Sequence, residues 1–124
     1  MSVHEHLVPS SVDYVEIAVT DLAAAGDFYR AAFGWEIVPY GDDYAGFRTP
    51  AEAGGEEAGG LRRADEVVRG TTLVLLYAED LEACADAVTA AGGRVVEGPY
   101  AFPGGRRFHF LDPSGNELGV WSRA

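Results

Sequence analysis

The sequence contains no lysine and no glutamine, and its nine basic residues are all arginines. The absence of lysine excludes catalysis through a lysine Schiff base. Cys84 is the single cysteine, so the chain can form neither an intrachain disulfide nor a thiolate metal cluster. No apolar run approaches the roughly 20 residues that a membrane-spanning helix requires. These absences leave a chain that must fold through an ordinary hydrophobic core.

The composition is that of an acidic globular domain. The chain has 124 residues, of which 48% are hydrophobic, and a net charge of -11. That charge disfavours nucleic acids and acidic membranes as partners, because phosphate-rich surfaces are bound by basic faces. The first eleven residues lack the charged and apolar regions of a signal peptide, so we expect a soluble, cytoplasmic protein.

The sequence contains an internal repeat, the strongest signal of its organisation. A shift of 59 residues places Asp21-Leu22 on Asp80-Leu81 and Gly34 on Gly93. In each copy a β-branched run precedes the aspartate, an alanine-rich amphipathic stretch follows it, and a second β-rich run comes after the glycine. We therefore predict one helix in each half, with the aspartate as the N-cap and glycine at the C-terminal stop.

Short strands separated by turns follow each predicted helix. Each half is then βαβββ, and the chain is an α+β protein with one domain made of two modules, about 10–64 and 70–124. The segment 50–60 has loop composition. The strands predicted after the helices are Trp35–Tyr40, Tyr44–Thr49, Gly59–Ala64, Arg94–Glu97, Arg106–Leu111 and Glu117–Ser122.

Three segments carry a resemblance to a known family: VEIAVTDLAAAGDFYRAAFGWE, EDLEACADAVTAAGGRVV and FHFLDPSGNELGVW. In their order and spacing they resemble the vicinal oxygen chelate superfamily, the glyoxalase/bleomycin-resistance fold. The resemblance implies two βαβββ modules whose curved mixed sheets enclose a cavity, and it implies a homodimer. It also implies that metal-using members hold a divalent cation with four side chains, typically His and Glu.

The family's metal-ligand positions do not carry metal ligands in this chain. They correspond to Tyr14, to Leu73 (or Thr72 with a one-residue slip), to Gly119 and to a position near Gly60. Tyrosine, leucine and two glycines cannot bind a divalent ion as a set, so we predict no cofactor. Two other metal sites are open alternatives: a relocated site formed by Glu16, His109 and Glu117, and the pair His4 and His6, which is more simply interpreted as part of a disordered or edge-strand terminus.

Strand alternation predicts which side chains face the cavity. Glu16 and His109 are the predicted catalytic acid and base. Glu16 is alternatively a lone metal ligand or half of a buried ion pair with Arg107, because an unpaired buried carboxylate is costly. His109 is alternatively a metal ligand or a hydrogen-bonded packing residue. The predicted substrate-binding residues are Tyr14, Tyr77, Arg107, Glu117 and Trp121, of which Glu117 alternatively lies at an exposed rim.

Three functions fit these residues. The first is a glyoxalase-like protein that binds a small organic molecule in its cavity without the family metal, either as a lyase or isomerase or as a simple binding protein. The second is a metal-dependent glyoxalase-type lyase. The third is a drug-sequestering protein of the bleomycin-resistance type, whose acidic charge would attract a cationic ligand.

Overall fold

A computed structural model describes Pro9, residues 12–70 and residues 72–124. His4 and His6 therefore lie outside the described residues. The chain folds as two compact units, the first ending at Glu66 and the second beginning at Val67. Neither helix in the described part of the chain has the length and apolarity needed to cross a membrane.

The first unit is a four-stranded mixed sheet with one helix. Its strands lie in the order β1-β4-β3-β2; β1 and β4 are parallel, and the other neighbours are antiparallel. A short 3-10 helix, Pro50–Glu52, interrupts the connection from β3 to β4. The elements are β1 (Val15–Val19), α1 (Leu22–Phe33), β2 (Glu36–Pro39), β3 (Tyr44–Arg48) and β4 (Gly59–Arg63).

The second unit repeats this topology. Its strands lie in the order β5-β8-β7-β6, and the parallel pair is again the first strand with the last. The elements are β5 (Leu75–Tyr77), α2 (Leu81–Ala90), β6 (Arg94–Phe102), β7 (Gly105–Leu111) and β8 (Glu117–Ser122). The α+β class and the two four-stranded mixed sheets that the sequence predicts are confirmed.

Both helices begin where the repeat predicts, but α2 has Ala91 rather than a glycine as its C-cap, and Gly92 follows it. Asp21 accepts a hydrogen bond from the Ala24 amide and Asp80 accepts one from the Ala83 amide, each at 3.0 Å. Each carboxylate therefore satisfies an amide that has no partner within the helix. Helix α1 ends at Gly34, whose φ of 71° is the left-handed conformation that glycine adopts without a Cβ clash.

The core of each unit lies on the helix side of its sheet. In the first unit Tyr29 of α1 stacks on Trp35 at a centroid distance of 4.5 Å, and Trp35 stacks on Phe47 at 4.3 Å. The second unit has no such stack among its described residues. Its core is made of fully or almost fully buried apolar side chains, namely Leu81, Val88, Phe108, Phe110, Leu118 and Val120.

Strand β6 is longer than the predicted Arg94–Glu97 and extends to Phe102. The Gly98-Pro99 step looks like a strand end in the sequence, but the register with β7 shifts on both sides of Glu97 and pairing then resumes. Such a bulge absorbs extra residues and redirects the side chains beside it. As a result Glu97 lies opposite His109, and Tyr100 lies opposite Arg107.

Candidate functional site

Each sheet has a second face, opposite its helix, which we call the open face. Along β1 the side chains of Ile17 and Val19 are buried, whereas Glu16, which precedes Ile17 and points to the other face, is exposed. Along β7 Phe108 and Phe110 are fully buried, so the intervening residues point the other way. The alternation predicted from the sequence is therefore correct, and the predicted site residues lie on the two open faces.

The open face of the first unit carries a chain of hydrogen bonds between phenols and a carboxylate. The hydroxyls of Tyr14 and Tyr44 are 2.6 Å apart, and Tyr44 also donates to Glu16 Oε2 at 3.2 Å. Burial raises the pKa of the Tyr44 phenol, and the hydrogen bond with Tyr14 raises it further. Tyr44 therefore stays protonated, and Tyr14 and Glu16 are joined through a residue that the sequence analysis did not select.

Glu16 is not the buried carboxylate that its strand position suggested. Its side chain is 45% exposed, and its ion-pair partner is Arg62, with Nε 3.0 Å from Oε1. The predicted burial of Glu16 in an ion pair is therefore wrong, and its partner within its own unit is Arg62. The reason is register: β1 pairs with β4, and Arg62 lies opposite Ala18, close enough for its long side chain to reach Glu16.

The two glycines at family ligand positions leave room for other side chains. A Cβ on Gly60 would lie 2.0 Å from the Tyr44 hydroxyl and 2.6 Å from the Tyr14 hydroxyl. A Cβ on Gly119 would lie 2.5 Å from Cδ2 of Leu75. These two positions thus offer no ligand side chain, and phenols or an aliphatic chain fill the space beside them. The family metal does not fit these residues.

The first unit also has an acidic cleft of about 350 Å³. Glu57 lies in the predicted loop 50–60 but is almost fully buried, and Tyr40 donates a hydrogen bond to it. Gly46 makes room for this carboxylate, because a Cβ there would lie 2.1 Å from Glu57 Oε1. The lining residues are Val12, Asp13, Tyr14, Val15, Glu52, Glu56, Glu57 and Ala58.

The open face of the second unit carries four aromatic side chains, Tyr77, Tyr100, Phe102 and Trp121, which we call the aromatic platform. Trp121 meets Tyr77 edge to face at 5.0 Å and meets Phe102 at 6.3 Å. Tyr77 is 50% exposed, so part of this surface is accessible. Trp121 lies on the predicted strand β8, whereas Tyr100 and Phe102 lie beyond the predicted end of β6.

Arg107 is held against this platform. Its guanidinium carbon lies 5.4 Å from the ring centroid of Tyr100 and 5.4 Å from that of Phe102, within cation–π range. Its Nε donates to the Tyr100 hydroxyl. Among the described residues no carboxylate pairs with Arg107, unlike Arg62, Arg69 and Arg106. The platform therefore combines π faces with a guanidinium group.

His109 is the centre of a second set of contacts. It is 7% exposed, its Nδ1 lies 2.7 Å from Glu117 Oε2, and its Nε2 lies 3.1 Å from the Tyr100 hydroxyl. Arg69 binds the other oxygen of Glu117 at 2.8 Å. These bonds, that with His109 first, lower the pKa of the Glu117 carboxyl. Glu117 is thus bound on both oxygens rather than lying free at a rim.

The structure therefore connects the predicted residues within each unit. Tyr14 and Glu16 meet through Tyr44, Tyr77 meets Trp121, and Arg107, His109 and Glu117 form one chain through Tyr100. The contacts of Glu16 and those of His109 each come from their own unit. The residues that sequence reasoning missed are Tyr44, Arg62, Arg69, Glu97, Tyr100 and Phe102. Of these, Tyr44, Arg62 and Glu97 stood on predicted strands, whereas Arg69, Tyr100 and Phe102 did not.

Comparisons with known proteins agree with this fold. The model of the Glyoxalase/Bleomycin resistance protein/Dioxygenase superfamily matches residues 11–120. A family enzyme from Burkholderia phytofirmans PsJN superposes with a TM-score of 0.76 at 18% identity, over 93% of this chain and 100% of that one. TnmS3, an antibiotic binding protein from Streptomyces sp. CB03234, superposes with a TM-score of 0.69 at 25% identity, over 96% of this chain and 100% of that one.

A relative in sequence is the anthracycline biosynthesis protein DauV of Streptomyces sp. (strain C5). It is 33% identical over 120 residues, which are 91% of this chain and 42% of DauV. The chain therefore spans less than half the length of that relative. Together the family match, the shared topology and the relatives show that this chain belongs to the Glyoxalase/Bleomycin resistance protein/Dioxygenase superfamily.

Proposed function

We propose that this protein binds a planar aromatic small molecule on the aromatic platform and does so without the family's metal. The aromatic platform with Arg107 is the observation that carries the proposal. Aromatic side chains bind a flat apolar ligand over a large area, and a few polar groups fix its orientation. Arg107 supplies such a polar group, since its guanidinium is positioned by two rings and has no described carboxylate partner.

Two relatives support the ligand class. DauV is an anthracycline biosynthesis protein, and TnmS3 is an antibiotic binding protein. Anthracyclines have a flat polycyclic ring system, and those that bear an amino sugar are cationic. The net charge of -11 favours the approach of such a cation. We therefore propose a polycyclic aromatic antibiotic or a biosynthetic precursor of one as the ligand.

The proposal that the protein binds its ligand without the family's metal rests on the glycines at positions 60 and 119. Neither supplies a ligand side chain, and the space beside each is filled by phenols or by Leu75. A glyoxalase-type lyase needs a cation to polarise its substrate oxygen. The residues at those positions would have to change for that mechanism to operate there.

The test is a titration of the untagged protein with the anthracycline doxorubicin, followed through the ligand's fluorescence and the protein's melting temperature. We expect saturable binding of one ligand per aromatic platform, and we expect the ligand to raise the melting temperature of the protein. A chelator should change neither result. Tyr77→Ala and Trp121→Ala should each weaken binding about tenfold, because each removes a stacking face. The matched control is Thr89→Ala on the exposed side of α2, which should bind like the unchanged protein.

Equal affinity in Trp121→Ala, Tyr77→Ala and the control would contradict the platform as the binding surface. Loss of binding on chelation, with recovery on adding back a divalent ion, would contradict metal-free binding. Circular dichroism of each variant separates a lost contact from a lost fold.

A second candidate function is a metal-free acid/base enzyme. The observation that favours it is the bond between His109 and Glu117, since a carboxylate at Nδ1 orients an imidazole and directs Nε2 to the Tyr100 hydroxyl, with which it can exchange a proton. In this candidate the partner of His109 is Glu117, in place of the predicted Glu16. Product formation that survives chelation and is abolished in His109→Ala would favour it, whereas binding without turnover favours a sequestering protein.

The homodimer and the cytoplasmic location stay predictions from the sequence. Sedimentation equilibrium of the untagged chain tests the first, with a mass of twice 13.2 kDa expected. A mass of one chain at micromolar concentration would contradict it.

A further inference from the structure

Three side chains on the open face of the second unit point ligand atoms toward one another. His109 Nδ1 lies 2.7 Å from Glu117 Oε2 and 3.6 Å from Glu97 Oε2. The ligand atoms of the three residues all lie within 4.8 Å of one another. None of the three occupies a family ligand position. We propose that Glu97, His109 and Glu117 form a divalent-cation site of this protein.

The strands hold these three residues in a fixed frame. Glu97 lies opposite His109 across β6 and β7, and His109 lies opposite Gly119 across β7 and β8. Glu117 is two residues before Gly119, so it faces the same side of the sheet as His109. The ligands thus come from three neighbouring strands, which position side chains more accurately than loops do.

In two of the three ligand residues, a hydrogen bond to the polar atom that faces away from the proposed site orients the side chain. Arg69 binds Glu117 Oε1 at 2.8 Å, so Oε2 is the oxygen left facing His109. The Tyr100 hydroxyl lies 3.1 Å from His109 Nε2, which leaves Nδ1 facing the carboxylates. Partners of this kind fix the ring orientation and the tautomer of a metal-bound histidine. Arg69 and Tyr100 are positioning residues in this proposal.

Charge and burial also suit a cation. Two carboxylates converge on one imidazole nitrogen, yet a neutral imidazole has a single Nδ1 proton to share between them. A divalent ion in place of that proton would attract both carboxylates. Side-chain exposure is 9% for His109, 18% for Glu117 and 59% for Glu97, so the site is anchored on a buried residue and reached from solvent past Glu97.

The donor set indicates the class of ion. One imidazole nitrogen and two carboxylate oxygens suit Zn²⁺, Mn²⁺, Fe²⁺ or Co²⁺, whereas the absence of a thiolate disfavours soft ions. Three coordinating side chains leave further coordination positions on the ion for water or for an oxygen atom of a bound small molecule. This proposal is independent of the proposed small-molecule binding, because it concerns the binding of the ion alone.

The experiment is a titration of untagged, chelator-treated protein with Co²⁺, followed by visible absorption, and with Zn²⁺, followed by calorimetry. We expect one ion per chain. His109→Ala should abolish binding and Glu97→Gln should weaken it at least tenfold. Because Glu97 is exposed, Glu97→Gln tests the site even if His109→Ala fails to fold.

Two control variants make the result specific. Glu79→Gln removes an exposed carboxylate of the same unit and should leave the affinity unchanged. The double variant His4→Ala with His6→Ala removes the other histidines of the chain and should also leave it unchanged. Arg69→Gln should weaken binding by about tenfold, as losses of orienting partners do. The proposal is overturned if no saturable binding occurs, if the double histidine variant loses the ion, or if Glu97→Gln binds like Glu79→Gln.

Discussion

The two units share a topology and a pair of helix caps, yet their open faces carry different chemistry. The first open face has phenols, a carboxylate and Arg62, joined by hydrogen bonds around Tyr44. The second has the aromatic platform, Arg107 and the His109–Glu117 pair. Both sheets carry buried apolar side chains on the side that packs on a helix, whereas their opposite sides carry different functional groups.

The reason is that the helix-facing side and the open face of each sheet are under different physical constraints. A helix-facing position must hold an apolar side chain of suitable volume, since voids and overpacking both destabilise a core. An open-face position has no such requirement, so its residues can be chosen for binding or chemistry. Gly60 and Gly119 illustrate this, because equivalent positions accommodate phenols in one unit and Leu75 in the other.

The largest effects are expected from the buried cores. Phe28→Ala in the first unit and Phe108→Ala in the second should each lower the free energy of unfolding by about 3–5 kcal/mol, because each leaves a cavity. Urea unfolding followed by circular dichroism measures both. If the two modules form one domain, as the sequence predicts, each variant should shift a single transition.

The control for this pair of variants is Leu75→Ala. The Leu75 side chain is 40% exposed, so its truncation should lower the free energy of unfolding much less. A curve with two transitions, of which only one moves in each variant, would show that the units unfold independently. That outcome would contradict the prediction of one domain.

An intermediate effect is expected where the two last-strand glycines are filled. Gly60→Ala should cost about 1–3 kcal/mol, because the new Cβ meets two phenols that are held by a hydrogen bond. Gly119→Ala should cost about 1 kcal/mol or less, because the atom that it meets is the end of the Leu75 side chain, which can rotate away. The added substitution Leu75→Ala should relieve the cost at Gly119.

Gly26→Ala serves as the control, since its Cβ would meet Ile37 only at 3.4 Å and alanine favours a helix. Thermal unfolding ranks the three variants. An order in which Gly119→Ala is more costly than Gly60→Ala would mean that Leu75 is the more rigid neighbour.

The smallest effect is expected at the feature that the units share most closely. Asp21→Ala and Asp80→Ala should each lower the free energy of unfolding by about 1 kcal/mol, because each carboxylate caps one amide at 3.0 Å. Asp86→Ala, on the exposed side of α2, is the matched control without a cap. If the losses in the free energy of unfolding of Asp21→Ala and Asp80→Ala differ by more than about 1 kcal/mol, the two caps are not equivalent.

The fold could be predicted from the sequence almost completely because its signals are local. An aspartate before an amphipathic run, glycine after it and alternation along β-branched runs each act over a few residues. The error at β6 has the same origin. A Gly-Pro step normally ends a strand, and only pairing with β7 across a bulge carries the strand on to Phe102.

The candidate site could be predicted only in part. Alternation placed Tyr14, Glu16, Tyr77, His109 and Trp121 on the correct faces. It could not assign their partners, because an ion pair depends on which strand lies alongside and in which register. Arg62 for Glu16 and Glu97 for His109 are partners of this kind, each brought close by a strand pairing that spans many residues of chain.

The sequence by itself determined the family, the two βαβββ units, the two aspartate N-caps and the absence of a His and Glu ligand set at the family's metal positions. These properties depend on residue type and on short spacings, which a single chain displays directly. Only the tertiary structure decided that phenols lie beside Gly60, that Arg107 lies against Tyr100 and Phe102, and that Glu97 joins His109 and Glu117. Those contacts arise from strand register and side-chain reach, and residues distant in the chain become neighbours only when the sheets form.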